Sequence, residues 1–171
     1  RERSRELKDI MNEIHVLENK GVKEVVLSGI EVASYGKDLE NISLIDVIEE
    51  VSKTSIERIR LSSLEQNIIT EEFLDRLKMI DKFCWHFHLS LQSGSDTVLQ
   101  RMNRKYDTKK YFEKIELIRK YNPLAAITTD VIVGFPEETD DEYNETKEFA
   151  KKVEFSDIHI FPYSLRTGTV A

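Results

Sequence analysis

The segment HFHLSLQSGSD, residues 86–96, changes character at every step. Phe87, Leu89 and Leu91 share one parity, and His86, His88, Ser90 and Gln92 share the other. A strand whose second face carries two imidazoles, a hydroxyl and an amide offers donors and acceptors rather than a packing surface. The pattern recurs along the chain. Thr128 and Asp130 alternate with Ile127, Thr129 and Val131; Asp157, His159, Phe161 and Tyr163 alternate with Ile158 and Ile160; Arg60 and Ser62 alternate with Ile59 and Leu61. Burying such groups unpaired costs several kcal/mol, so the polar parity is read as lining a shared interior that takes a polar ligand. In that interior Asp130 is the candidate for acid–base or substrate contact, and His88 and His159 are read as hydrogen-bonding partners beside it. The alternative chemistry is a divalent metal on His88, Asp130 and His159, whose bound water would serve a hydrolase or lyase.

Positioning these residues takes a repeated strand–helix unit. Strand-like segments run over 23–28, 58–63, 86–92, 127–133 and 157–161, and the first four are each followed by a helical pattern, at 44–52, 71–79, 109–121 and 140–153. Asn41, Thr70, Asp107 and Thr139 supply caps or turns ahead of those helices. A strand-to-strand spacing of about 30–40 residues is that of a βαβ unit with its right-handed crossover. An amphipathic helix opens the chain, with Leu7, Ile10, Met11, Ile14 and Leu17 at helical spacing and no strand ahead of it. The predicted fold class is α/β: a partial, incomplete βα barrel of parallel strands with outer helices, one domain over 1–171, lacking a first strand. A sheet edge left open in this way invites self-association. The strands run out into SGIEVASYG (28–36), SSLEQN (62–67), QSGSD (92–96), GFPEE (134–138) and FPYSLRTGT (161–169). Parallel sheets bind ligands at this end, and Gly29, Gly94 and Gly134 are expected to let the backbone approach a ligand or take positive φ.

Composition narrows the partners. A chain of 171 residues, 40% hydrophobic and 33% charged, is long enough for a sizeable core. Its net charge of −7 gives no general affinity for nucleic acid. Arg101, Arg104, Lys105, Lys109, Lys110, Lys114, Arg119 and Lys120 form a local exception, read chiefly as a solvated helix face. No apolar run reaches membrane-spanning length and no signal peptide is recognised, so the expected location is cytoplasmic. The single cysteine, Cys84, excludes an internal disulfide and is expected to be a buried core thiol.

With RERSR, LSGIEVASYG, RIRLSSLE, HLSLQSGSDTVLQRMNRKY, TTDVIVGFPEET and HIFPYSLRTGT in view, the chain resembles the radical S-adenosylmethionine (SAM) methylthiotransferases that modify tRNA. Its SSLE and GIEVASYG forms resemble most the branch acting on threonylcarbamoyladenosine. The resemblance implies a partial barrel of six βα units, of which this chain holds strands two to six, without the first strand and its cluster loop. In that family three cysteines spaced C-x3-C-x2-C hold a 4Fe-4S cluster that chelates SAM, and a radical derived from SAM abstracts hydrogen from adenine C2 before sulfur is inserted. With those cysteines absent, the cluster belongs to the full-length enzyme only, this chain alone is expected to be inactive, and no residue here is assigned as a metal ligand. The partner is tRNA, through the full-length enzyme, and no membrane is implied. By resemblance Ser28 and Gly29 receive the SAM amino group, Ser63 and Glu65 meet ribose hydroxyls or the ammonium, Gln92 and Ser93 lie at ribose or carboxylate, Arg104 pairs with the carboxylate, and Phe161 and Tyr163 flank the adenine. The family commonly has glycine at the place of Glu137 and proline at that of Gln66. A non-catalytic SAM- or RNA-binding module is the remaining reading for the isolated chain.

Overall fold

The computed structural model describes residues 3–165, Thr167, Gly168 and Ala171; Arg1 and Glu2 of the opening motif, Arg166 and Thr169 of the closing one, and Val170 lie outside the described residues. Five parallel strands follow one another in chain order: β1 (Glu24–Leu27), β2 (Arg58–Leu61), β3 (His86–His88), β4 (Ala126–Val133) and β5 (Asp157–Pro162). Among the described residues six α-helices accompany them: α1 (Leu7–Asn19), α2 (Leu44–Ser52), α3 (Glu71–Lys78), α4 (Asp96–Arg101), α5 (Thr108–Tyr121) and α6 (Asp140–Val153). The strands form two ladders, β1–β2 and β3–β4–β5. Single parallel bridges, Ile59 to Phe83 and Leu64 to Leu89, join the two ladders where a continuous sheet was expected.

Local chemistry sets the helix starts. Thr70 accepts the Phe73 N–H and Asp107 the Lys110 N–H, as their types at those places predict. Thr139 and Glu142 form a reciprocal capping box at α6. Arg101 (2.7 Å), Thr97 and the Thr139 N–H converge on Glu142 and hold its carboxyl well below the usual carboxylate range. Asn41 is a turn residue at φ 55°, and Ser43 is the residue that precedes α2, its N–H donating to Asp46 at 2.6 Å.

The apolar parity of the strands packs against the helices. Ile59, Phe87, Leu89, Leu91 and Ile127 are fully buried with Ile48 and Val51 of α2, Leu74 and Leu77 of α3, and Ile115 and Ile118 of α5. Burying a side chain of this kind stabilises the fold by about 1.5–3 kcal/mol. The opposite parity remains half-open: Arg60, His86, His88, Thr128 and Asp130 are partly buried, while Val26, His159 and Phe161 are exposed.

One expectation changes and another holds. Cys84 is only half-buried, because its backbone bridges to the Ile59 carbonyl just ahead of β3 instead of entering the core. The basic stretch is the solvated face expected, with Arg101, Arg104, Lys105, Lys109, Lys110 and Lys120 exposed and Lys114 and Arg119 partly buried, and several of these side chains find partners at that surface. Arg101 pairs with Glu142, Lys114 donates to the Ile69 carbonyl, Arg119 to the Glu154 carbonyl, Lys120 lies 3.5 Å from Glu71.

Glu137 sits at φ 66°, the left-handed backbone that a glycine adopts freely. A side chain there costs about 1–2 kcal/mol, partly offset by the greater unfolded-state freedom of glycine. Glu137→Gly is therefore expected to raise the unfolding free energy by about 0.5–1 kcal/mol, measured by urea denaturation of the two chains.

Candidate functional site at the open ends of the strands

The third strand is where sequence periodicity and structure part. Alternation predicts a strand over 86–92, yet the regular ladder ends at His88. His88 is level with Thr128, and pairing resumes with Gln92 level with Val131. Leu89, Ser90 and Leu91 therefore stand opposite only Thr129 and Asp130, one residue too many. This is a β-bulge, a device that re-aims side chains beside functional sites. It closes on Gln92 at φ 70°, uncommon for a residue with a side chain.

Three hydroxyls hold the bulge. Thr129, fully buried, donates to the Leu89 carbonyl at 2.6 Å and accepts the Leu91 N–H at 2.8 Å. Tyr111 donates to the same Leu89 carbonyl at 2.6 Å, and burial pushes its phenol above the ordinary range. The Tyr106 hydroxyl lies 3.0 Å from both the Ser90 and the Leu91 carbonyls. Sequence reading missed all three, since nothing in the local pattern distinguishes a tyrosine on α5 or a buried threonine on β4 from ordinary core.

Beside the bulge the strand faces deliver the predicted convergence. Asp130 and His159 are level partners on β4 and β5. The Asp130 carboxylate lies 3.1 Å from His88 Nε2 through one oxygen and 3.1 Å from His159 Nδ1 through the other. Ser90 adds a long contact at 3.4 Å. The imidazoles of His88 and His159 stack at 5.6 Å between ring centres. Ligand atoms of His88, Asp130 and His159 all fall within 4.8 Å of one another, so the trio foreseen for a metal does assemble. His86 was placed on the same face, and it bridges Arg60 and Thr128 at 3.3 and 3.1 Å. Burial, then Arg60 and His88, hold its imidazole below the ordinary range.

The other candidates divide. Ser28, Gly29, Ser63 and Glu65 are exposed at the ends of β1 and β2. Phe161 is exposed at the end of β5, while Tyr163 is half-buried with its ring against Phe135 at 5.4 Å. Arg104 is exposed just beyond α4, with no ion pair among the described residues. Ser93 is a correction. Its side chain is fully buried and bonds Thr146 of α6 at 3.2 Å, so it braces the loop from behind and does not face a ligand. Gly94 is a second correction: its bare Cα serves contact with α6 rather than a ligand, since an added Cβ would stand 2.7 Å from the Thr146 Cα. Gly134 does take positive φ, at 71°, whereas Gly29 neither takes positive φ nor adjoins anything closer than ordinary contact.

Among the described residues three buried polar atoms that follow strand ends have no partner: Ser62 Oγ after β2, Gln66 Oε1 in the turn that follows, and the Tyr163 hydroxyl after β5. Buried polar groups are normally satisfied. The edge of β1 and the α1 residues Ile10, Ile14 and Leu17 line a cavity of about 1000 Å³ that also takes in Ser28 and Gly29 at the end of β1.

Comparison with known proteins follows this geometry. The profile of the radical SAM superfamily matches residues 1–150. Over 171 residues the chain is 42% identical to the threonylcarbamoyladenosine tRNA methylthiotransferase MtaB of Bacillus subtilis, covering 99% of this chain and 38% of that protein. It is 44% identical over 173 residues to the tRNA-2-methylthio-N(6)-dimethylallyladenosine synthase of Clostridium tetani, covering 100% of this chain and 38% of that one. The chain thus spans about 38% of the length of these relatives. In fold it is similar to the radical SAM enzyme coproporphyrinogen III oxidase of Escherichia coli, with TM-score 0.65 and 17% identity over 92% of this chain and 36% of that one. It is similar also to the cobalamin-dependent radical enzyme OxsB, with TM-score 0.60 and 16% identity over 95% of this chain and 24% of that one.

Proposed function

This chain belongs to the radical SAM superfamily, and on that premise we propose that it forms the SAM-binding core of a tRNA methylthiotransferase. The observation that carries the reading is the set of polar residues that end the parallel strands: Ser28, Ser63 and Glu65 are exposed there, and Ser62 Oγ, Gln66 Oε1 and the Tyr163 hydroxyl follow β2 and β5 without a hydrogen-bond partner among the described residues. A ligand that presents an ammonium, a carboxylate and two ribose hydroxyls suits such strand ends, and SAM presents all of them. When bound, and given one electron from a donor outside this chain, SAM would supply hydrogen-abstraction chemistry. The chain's own residues bind and orient it: Ser28 and Gly29 at the amino group, Ser63, Glu65 and Gln92 along the ribose, Arg104 at the carboxylate as a planar cation, and Phe161 and Tyr163 at the adenine. Asp130 faces the reacting edge from below the rim.

The iron–sulfur cluster of the family does not fit the residues present. Such a cluster needs several thiolates, and Cys84 is the one cysteine of the sequence. No step through a cluster is assigned to this chain, which by itself is proposed to be inactive as an enzyme. The cavity between α1 and the free edge of β1 is proposed to receive a further strand, from a longer polypeptide or from a second copy. Of the two substrates in the relatives' names we favour threonylcarbamoyladenosine, on the forms SSLE (62–65) and GIEVASYG (29–36). No described helix is long and apolar enough to cross a membrane, in keeping with a proposed cytoplasmic enzyme that meets tRNA.

Calorimetric titration with S-adenosylhomocysteine tests the core of this reading. Saturable binding is expected, weakened several-fold by Gln92→Ala at unchanged melting temperature. Heats equal to dilution for the parent chain would overturn the assignment of the SAM site to these strand ends.

A further inference from the structure

The polar face of the sheet holds more than three convergent ligand atoms. Arg60 of β2 donates from its guanidinium to His86 Nδ1 at 3.3 Å. His86 Nε2 lies 3.1 Å from Thr128 Oγ1, which lies 3.0 Å from His88 Nδ1. His88 Nε2 in turn lies 3.1 Å from Asp130. Side chains of three adjacent strands are thereby joined end to end. The two termini of this line differ in kind: a guanidinium only donates and a carboxylate only accepts.

That asymmetry settles every proton between them. Arg60 must donate to His86 Nδ1, so a neutral His86 carries its proton on Nε2 and gives it to Thr128. A bare His88 Nε2 would set lone pair against lone pair at Asp130, so His88 also carries its proton on Nε2. Its Nδ1 then accepts the Thr128 hydroxyl proton. On the far side His159 reaches Asp130 through Nδ1, while its Nε2 stands 3.8 Å from Asp157, too far for a hydrogen bond. His159 is therefore the opposite tautomer. Glu24 of β1, 3.6 Å from Arg60, anchors the donor end.

We propose that Arg60, His86, Thr128 and His88 form a one-way hydrogen-bond chain that fixes the protons around Asp130 and leaves its carboxylate a preset acceptor for an N–H group of the bound ligand. The four act as positioning residues for Asp130. The assignment opposes a metal centre on the same trio, because a metal needs the nitrogens facing Asp130 bare and the protons on the other two, His88 Nδ1 and His159 Nε2. The tautomer chain stands on geometry alone. The receptor role rests on the SAM reading above, whose N–H groups are the ammonium and the adenine amine.

Histidine-ring 15N NMR reads the tautomers directly. His86 and His88 are expected as Nε2–H and His159 as Nδ1–H, with Thr128→Val abolishing the single tautomer at His88 and Thr128→Ser keeping it. His88 as Nδ1–H together with His159 as Nε2–H, before or after addition of Zn2+, would overturn the chain in favour of a metal site. In parallel, Thr128→Val is expected to bind S-adenosylhomocysteine about tenfold more weakly, with Thr128→Ser restoring affinity. Adenosine weakened to the same degree identifies the adenine as the donor, and adenosine unaffected identifies the ammonium; both outcomes support the proposal. The stated tautomers with both affinities unchanged in Thr128→Val would overturn the receptor role. If the parent chain binds neither probe, the SAM reading and the receptor role fall together, while the NMR still decides the chain.

Discussion

Thr129→Val is expected to lower the unfolding free energy by about 2–3 kcal/mol, although it swaps a fully buried side chain for one of nearly the same shape and greater apolarity. Burial alone favours valine at that place. The hydroxyl, however, is the partner of the Leu91 N–H at 2.8 Å and a donor to the Leu89 carbonyl at 2.6 Å. With valine the Leu91 N–H is left without an acceptor beneath a fully buried residue. The Leu89 carbonyl keeps only its Tyr111 partner. An unmet buried donor costs about 1–3 kcal/mol, and the neighbouring carbonyl loses half of its bonding besides. Thr129→Ser retains both bonds and gives up one methyl group, so it should lose about 1 kcal/mol. Urea denaturation of the three proteins, followed by circular dichroism, orders them. A valine variant as stable as the parent would mean that the bulge is not held by this hydroxyl. Because the bulge carries Ser90 and Gln92, the valine variant should also bind S-adenosylhomocysteine more weakly than its remaining folded fraction allows.

The same residue shows what the amino-acid pattern could and could not reveal. Helices α2 and α6 are legible to the residue, at 44–52 and 140–153, because apolar spacing and caps such as Thr139 act within a few residues of each other. The meeting of His88, Asp130 and His159 was legible too. Parallel pairing at a fixed parity carries side chains of the same face onto neighbouring strands, whatever the loops between them do. The bulge was not legible. Its cause is a threonine forty residues away in sequence from Leu89, and alternation through 86–92 reads the same with or without an inserted residue. Ser93 and Gly94 were misjudged for a related reason. A serine–glycine turn at a strand end is equally at home beside a ligand or beneath a helix, and only the placement of α6 separates the two. The basic run of 101–120 was legible as a solvated face, but its individual partners, Glu142 and the Glu154 and Ile69 carbonyls, were not, because they are distant in the chain. Short-range physics was readable throughout, and long-range partners were readable only where sheet geometry dictated them.

Gly94→Ala puts the corrected role of that turn to the test, with an expected loss of about 3 kcal/mol, at the upper end of what overpacking costs. The added Cβ would stand 2.7 Å from the Thr146 Cα and 2.9 Å from the Phe149 Cβ. The first of these is backbone within a capped helix of 14 residues, so it cannot swing aside as a side chain would. Relief requires α6 to move outward as a body. That motion strains the bonds which tie the turn to it: the Gly94 N–H to Thr146 at 3.1 Å, Ser93 to Thr146 at 3.2 Å and Ser95 to Glu145 at 2.5 Å. A glycine kept for ligand approach predicts the opposite division, with stability intact and affinity lost. Thermal and urea unfolding of Gly94→Ala, set beside its titration with S-adenosylhomocysteine, therefore separates the two roles. A drop in stability with affinity falling only in step with the folded fraction identifies the glycine as the contact point between the bulged strand and α6. An unchanged melting temperature with binding abolished would return Gly94 to the ligand site.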